Sequence, residues 1–329
     1  MSSRRAIVIG AGGQDGRLLT RLLLGRGYGV LAVSRSSVKA FGLAGSPNEC
    51  NVSRPESVRH TVERLQPDEV YYLAAHHASA EQAPRGVSED YAAGWEVNVA
   101  GVLHVLEAVR RHSPAARFFF ASSSLVFGQS PTHAPQDEST PAAPDEPYGL
   151  WKLLATHACR DYRKRYGTYA SVGILYNHES VYRRPEFLSA KLVRAAVAAA
   201  KGVTDPVTVG DLDAAVDWGY APDFVEAFTR ILSLDCAGDF VVATGQAHTV
   251  REFASAAFGS LGLDWRVHVV EDPRILIRRP GKGRVGNPAK LRRLTGWEPT
   301  LSFNDMVAAL VGGAVQSERH AVLPRIDNA

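Results

Sequence analysis

Ala6-Ile7-Val8-Ile9-Gly10-Ala11-Gly12-Gly13-Gln14-Asp15-Gly16 is the stretch on which the fold turns. Four apolar residues of strand character enter a glycine-rich turn, and Arg17 to Leu24 then carries leucines at helical spacing. Gly10, Gly13 and Gly16 fall at the strand-to-helix junction. There a pyrophosphate can approach the backbone closely and meet the free N–H groups of a helix amino terminus. A tight turn without a ligand is the plain alternative, and the strand-turn-helix context favours binding.

The 329 residues are 45% hydrophobic with 18 prolines and 29 glycines, enough for one large core or a domain with a smaller satellite. Disorder, a fibre and a miniature disulfide-stapled fold explain this composition poorly. Lys and Arg total 37 against 34 for Asp and Glu, a net charge of +3 without long single-sign blocks, so nucleic acid is not the expected partner. Cys50, Cys159 and Cys236 are scattered and lack a four-ligand spacing, which predicts no metal and fits a reducing, cytoplasmic compartment. Arg4 and Arg5 precede Ala6 to Ile9, but the glycines end that run before secretory or membrane length, so neither a targeting segment nor a membrane partner is expected.

Further strands are predicted at Gly29 to Val33, Glu69 to Leu73, Ala116 to Ala121 and Ala170 to Tyr176, with helical segments between them, including Tyr148 to Tyr166. This order predicts an α/β protein: a Rossmann-type doubly wound parallel sheet with a smaller, mostly C-terminal substrate lobe. Asp205 to Val209, Asp239 to Val242 and Trp265 to Val270 read as later strands, and Ala195 to Ala200 as part of a helix. Residues 1–180 are expected to form most of the dinucleotide-binding domain and 181–329 most of the lobe, with some later segments returning to the first layer.

After the second strand no acid is available for a ribose; Ser34, Arg35, Ser36 and Ser37 stand there instead. Pairing of Arg35 with a phosphate on the adenosine ribose favours NADP(H) over NAD(H), a solvent-facing arginine being the other reading. Asn51 and Val52 follow another possible strand boundary, and Leu73, Ala74 and Ala75 follow the next, where small side chains admit a dinucleotide. His76 or His77 then either touches ribose or substrate or has a structural role. Tyr148 and Lys152 are one helical turn apart and project to the same side, either as surface packing or as a phenol that exchanges a sugar hydroxyl proton beside an ammonium that lowers its pKa and holds the cofactor ribose. Ser123, just beyond Arg117 to Ala121, is placed either to orient a substrate oxygen or to serve as a turn or cap residue.

Together these residues resemble the extended short-chain dehydrogenase/reductases, the NAD-dependent epimerase/dehydratase family, and most closely the GDP-mannose 4,6-dehydratase branch. The turn from Gly10 through Gln14 and Asp15 to Gly16 looks like that family's cofactor turn, and Tyr148-Gly149-Leu150-Trp151-Lys152 like its YxxxK motif. The resemblance continues through Gly173 to Ser180, Asp217-Trp218-Gly219 and Thr249 to Glu252 as far as Gly296-Trp297. It implies a nucleotide diphosphate sugar as substrate, a GDP-linked one being a candidate. Its substrate pocket would contain His77, Ser123, Ser124, the residue at 125, Asn177, and the basic residues Arg183, Arg184, Lys191 and Arg194. The resemblance also implies a homo-oligomer; the short segment after Arg35 points to a homodimer, a tetramer being the alternative.

Two departures fall at the reacting end. The family places a glutamate where this chain has Leu125, and leucine has no acid/base function with which to eliminate water between C5 and C6 of a hexose. Asp217 or Glu179 would have to replace it, unless they serve only as salt-bridge or turn residues. The family also commonly places an arginine where Val216 stands, leaving Arg274, Arg278 or Arg279 to restore the charge, or to lie on the surface. The resulting expectation is a nucleotide-sugar oxidoreductase that epimerises through a transient 4-keto sugar or reduces a keto-sugar. The alternatives are a GDP-mannose-type 4,6-dehydratase with a substitute carboxylate, and a non-catalytic nucleotide-binding regulator.

Overall fold

The computed structural model describes residues 3–35, 37–43, 50–77, 87–129, 131, 133–276 and 283–322. Its strands are β1 (Arg5–Ile9), β2 (Gly29–Val33), β3 (Val38–Phe41), β4 (Glu69–Tyr72), β5 (Arg117–Ser123), β6 (Ala170–Leu175), β7 (Asn177–Glu179), β8 (Val207–Val209), β9 (Ala215–Tyr220), β10 (Asp239–Val242), β11 (Ala247–Thr249) and β12 (Val269–Glu271). Its helices are α1 (Gln14–Gly25), α2 (Pro55–Leu65), α3 (Val87–Trp95), α4 (Gly101–His112), α5 (Pro147–Tyr166), α6 (Leu188–Ala199), α7 (Ala221–Leu232), α8 (Val250–Gly259), α9 (Trp265–His268), α10 (Ala289–Thr295) and α11 (Phe303–Val322).

The near-continuous apolar runs of β1, β2, β4, β5 and β6 suit strands covered on both faces. They build one seven-stranded sheet, ordered β3-β2-β1-β4-β5-β6-β10. All pairs are parallel except β2 with β3. β3 went unpredicted because Val38-Lys39-Ala40-Phe41 is short and largely exposed, with none of the apolar density of its neighbours. Ile9 pairs with Val33 on one side and Tyr72 on the other. The carboxyl ends of three strands therefore open together where the strand order reverses, the place where such sheets bind ligands.

Alternation along β5 divides the core. Phe118 and Phe120 face the layer containing Val58, Val105 and Ala155 from α2, α4 and α5, whereas Phe119 faces Leu19 of α1 and Phe228 of α7. A third cluster, with Leu192, Phe253 and Val307, joins α6, α8 and α11 into a lobe beside the sheet. α7 and β10 come late in the chain but pack in the sheet layers. The Trp265 to Val270 stretch differs from the strand expected there. Asp264 accepts the N–H of Arg266 and caps the short helix α9, so only β12 remains as strand and pairs with β8.

Phe119 is fully buried with its ring centroid 4.5 Å from that of Phe228. Phe119→Ala is expected to lower unfolding free energy by about 3–5 kcal/mol in urea titration; a loss below about 1 kcal/mol contradicts this account of the core.

Candidate active site

The glycine turn is held by contacts that only hydrogen satisfies. Gly10 has φ +95°, and a Cβ there would lie 2.6 Å from the Ala74 nitrogen. A Cβ on Gly16 would lie 2.3 Å from the Gly10 carbonyl oxygen, so α1 packs directly on the turn. Gly13 is the N-cap of α1 and supplies no side-chain cap, which leaves the first N–H groups of the helix for an anion. This cradle fits a dinucleotide pyrophosphate.

A cavity of about 1340 Å³ runs from this turn across the strand ends to the lobe. Gly10, Gly13, Gln14, Asp15, Gly16, Arg35, Asn51, Val52, Leu73, Ala74 and Ala75, the residues assigned to a cofactor from the sequence, all line it. Arg35 is exposed at the end of β2, whereas Ser36 lies outside the described residues. Asn51 follows no described strand; its Oδ1 accepts the N–H of Ser53 in a loop leading to α2. His76 is held through its backbone by buried Asn98, which accepts its N–H at 3.2 Å and donates to its carbonyl at 3.1 Å. Asn98 escaped the sequence reading because a single polar residue in a helical segment gives no signal of its partner.

Gln14 and Asp15 also bind the chain beyond β6. Gln14 Nε2 donates to the His178 carbonyl at 2.9 Å and its Oε1 accepts Ser180 Oγ. His178 Nδ1–H donates to the Tyr176 carbonyl at 2.7 Å, and its Nε2 meets the Asp15 carboxylate at 2.9 Å. With acceptors on both nitrogens, the imidazole is held as a cation, its ring stacked 4.4 Å from Phe224. Burial opposes both charges, yet each partner outweighs it: the His178 pKa is raised and that of Asp15 lowered.

The reacting end of the cavity contains Ser123, Ser124, Leu125, Tyr148 and Lys152. Lys152 is 1% exposed; its Nζ donates to the Ala121 carbonyl at 2.7 Å and lies 5.6 Å from the Tyr148 ring centroid. Burial lowers its pKa to about 7. Burial also pushes the Tyr148 phenol above its ordinary range, and the charge acting against that rise is Arg183 rather than Lys152, contrary to expectation. Ser123 lines the cavity and also accepts the N–H of Leu125 at 3.2 Å, so the cap reading is realised alongside the site position. His77 reaches Tyr148, the two ring centroids 4.1 Å apart.

At the sugar end, Asn177, Arg183 and Arg184 line the cavity. Arg183 stacks over Phe187 at 4.0 Å, and Arg184 donates to the His77 carbonyl at 3.2 Å. Lys191 sits on α6 outside the lining, a correction to its expected role: along α6 the lining stops at Leu188 and Ser189. Arg274 is corrected too, since its side chain is 90% exposed and turned onto Asp272 at 2.9 Å. Arg278 and Arg279 lie outside the described residues. Neither proposed substitute carboxylate is available: buried Asp217 accepts the N–H groups of Thr244, Gly245 and Gly286 and the Thr244 hydroxyl, while Glu179 accepts Ser189 Oγ at 2.6 Å beside Arg183. The sequence reading missed Gln129, Glu146 and Arg284, which also line the cavity; Arg284 comes from a chain segment more than a hundred residues away. No cluster able to hold a metal occurs among the described residues.

The family model for GDP-mannose 4,6 dehydratase matches residues 7–310. The chain belongs to that family. It is 36% identical over 327 residues to GDP-mannose 4,6 dehydratase 1 of Arabidopsis thaliana, covering 93% of this chain and 88% of the relative. The structure of RMD from Pseudomonas aeruginosa complexed with NADPH shares the fold, with TM-score 0.79 and 24% identity over 94% of this chain and 98% of the other. The UDP-glucose 4-epimerase of Thermus thermophilus in complex with NAD superposes with TM-score 0.75 at 27% identity, over 94% and 98%. This family member is an NAD(P)-dependent enzyme that acts on a nucleotide sugar. Among the described residues, no helix is long and apolar enough to cross a membrane.

The His178–Asp15 pair has a defined pH signature. A raised histidine pKa gives stability that is complete below about 6.5 and lost as pH rises through the folded value; a lowered aspartate pKa gives stability present above about 3.9 and lost as pH falls through its folded value. Asp15→Asn is therefore expected to lose about 1–3 kcal/mol in urea unfolding near pH 5.5, and less as pH rises toward 9. A difference independent of pH contradicts the ion pair.

Proposed function

We propose that this protein is a GDP-mannose-type 4,6-dehydratase working with NADP(H). The reading rests on Ser123, Tyr148 and Lys152 sharing one cavity with the glycine turn, so that a sugar hydroxyl held at the serine and phenol lies along the same channel as a dinucleotide. Gly10, Gly13, Gln14, Asp15 and Gly16 hold the pyrophosphate, Arg35 the phosphate on the adenosine ribose, and Asn51, Val52, Leu73, Ala74 and Ala75 the walls around the remainder. A bound nicotinamide supplies hydride acceptance and return. Ser123 orients the C4 hydroxyl, Tyr148 takes its proton with the Arg183 charge favouring the phenolate, and Lys152 holds the ribose.

The kinship with GDP-mannose dehydratases, including the 36% identical plant protein, supports a GDP-linked hexose and loss of water after C4 oxidation. Asn177, Arg183 and Arg184 take the diphosphate and hexose, with His77 and Ser124 at the reacting end. One observation favours a second reading, C4 epimerisation or keto-sugar reduction: Leu125 provides no carboxylate for elimination. Exposed Trp95 on α3 with Leu150 and Leu154 on α5 supports a homodimer formed across these helices, and three free thiols suit a cytoplasmic protein.

Incubation with NADP and a panel of GDP-, UDP-, CDP- and dTDP-hexoses, read by mass spectrometry and NMR, tests this assignment. The GDP-hexose product is expected to be lighter by about 18 mass units, one water, without net cofactor consumption. Inverted sugar of unchanged mass, or a keto-sugar gaining two hydrogens at the expense of NADPH, would establish the second reading instead. Tyr148→Phe is expected to lower kcat by about 10²–10⁴-fold with NADP affinity within about threefold; an unchanged kcat removes the tyrosine from the mechanism.

A further inference from the structure

Elimination of water from a hexose needs a group that accepts a proton at C5 and donates one at C6, and Leu125 is neither. The acids of the cavity wall differ in position and in what they meet. Asp15 is paired with His178, Glu179 accepts Ser189 beside Arg183, Glu186 meets Arg184 at 3.2 Å, and Asp211 accepts the N–H groups of Asp213 and Ala214. Glu96 is exposed. Glu146 differs in position: it precedes Tyr148 by two residues as the N-cap of α5, on the wall that carries the reacting groups.

The backbone fixes that position. Leu125 to Gln129 runs against Ala143 to Gly149: the Ala143 N–H donates to Val126 at 2.9 Å, and Asp145 accepts the Gln129 N–H at 3.0 Å. A Cβ on Gly149 would lie 2.4 Å from the Leu125 carbonyl oxygen, so the first turn of α5 abuts Leu125 itself. Glu146 lies between these contacts, one helical turn before Gly149. Its Oε1 accepts Gln129 Nε2 at 3.1 Å, and Gln129 Oε1 accepts Arg284 at 3.0 Å. Arg284 is a half-buried guanidinium in the same cavity, positioned to balance a carboxylate close by.

We propose that Glu146 is the acid/base residue of the dehydration, taking over from the neighbouring segment the function that Leu125 cannot perform, with Gln129 and Arg284 positioning it. This rests on the dehydratase reading above. The step is redox-neutral: from the 4-keto sugar, the C5–H bond breaks with its proton passing to Glu146. The C6–O bond then breaks as that proton passes to the departing hydroxyl, and water leaves as the C5=C6 double bond forms.

The test compares the wild-type protein with Glu146→Gln, Glu146→Asp and Glu146→Gln combined with Leu125→Glu, using GDP-mannose and NADP in D2O. Thermal unfolding and NADP binding of each variant report folding separately. Glu146→Gln is expected to lose kcat for dehydration by about 10²–10⁴-fold, with KM within about threefold, and to lose deuterium incorporation at C5 while still oxidising C4. Glu146→Asp retains part of the rate, and adding Leu125→Glu restores elimination. Dehydration by folded Glu146→Gln within about threefold of wild type overturns the role of Glu146 alone. A wild-type protein that forms no dehydrated product overturns the dehydratase reading and this assignment with it.

Discussion

At Gly10 the chain passes so close to the backbone of Ala74 that any side chain would collide with it, and at Gly16 the first turn of α1 rests on the Gly10 carbonyl. These two contacts bring the ends of β1 and β4 together with the opening of α1, and every part of the site takes its position from them. The uncapped amino terminus of α1 faces the cavity because the turn brings it there. Gln14 and Asp15 then carry the constraint across to His178 and Ser180, just beyond β6. The glycine turn and the segment just beyond β6 are thereby one hydrogen-bonded unit, with the buried His178–Asp15 pair at its centre. Such a pair is strongly destabilising to break from one side, which fixes the relative placement of the two segments more than it adds to stability.

A second constraint shapes the chemistry. The chain after β5 and the entry to α5 lie side by side from Leu125 to Gln129 and from Ala143 to Gly149, so Ser123 and Tyr148 cannot move apart without disrupting both. Lys152, anchored on the Ala121 carbonyl, ties α5 to the same strand. Its lowered pKa and the raised pKa of Tyr148 have the same origin in burial, and charge that develops on an oxygen away from bulk water is strongly influenced by fixed dipoles. The exchange of a glutamate for Leu125 thus alters one wall of a pocket whose other walls remain in place.

Much of this was legible before any coordinates. The Ala6 to Gly16 run, the apolar strands and the spacing of Tyr148 to Lys152 are local signals, and local periodicity reports them faithfully. β3 lacked that signal because its edge position leaves it exposed, and α9 was hidden because one capping aspartate outweighed the strand character of the apolar residues after it. The site contacts that escaped detection are those made across long separations: Asn98 with His76, His178 with Asp15, and Arg284 with Gln129. Charge type also misled. Lys191 looked equivalent to Arg183, yet its position along α6 leaves it outside the lining, and Arg274, expected either to restore the charge missing at Val216 or to lie on the surface, is held on the surface by Asp272 two residues before it.

On the 4,6-dehydratase reading, the hydrogen removed from C4 returns at C6 after water has left. A GDP-hexose carrying deuterium at C4, converted by the wild-type protein with NADP and examined by NMR, tests it directly. The account predicts a 4-keto product with the deuterium in its C6 methyl group. Deuterium found again at C4 of an epimerised hexose, with the C6 hydroxyl intact, would contradict it.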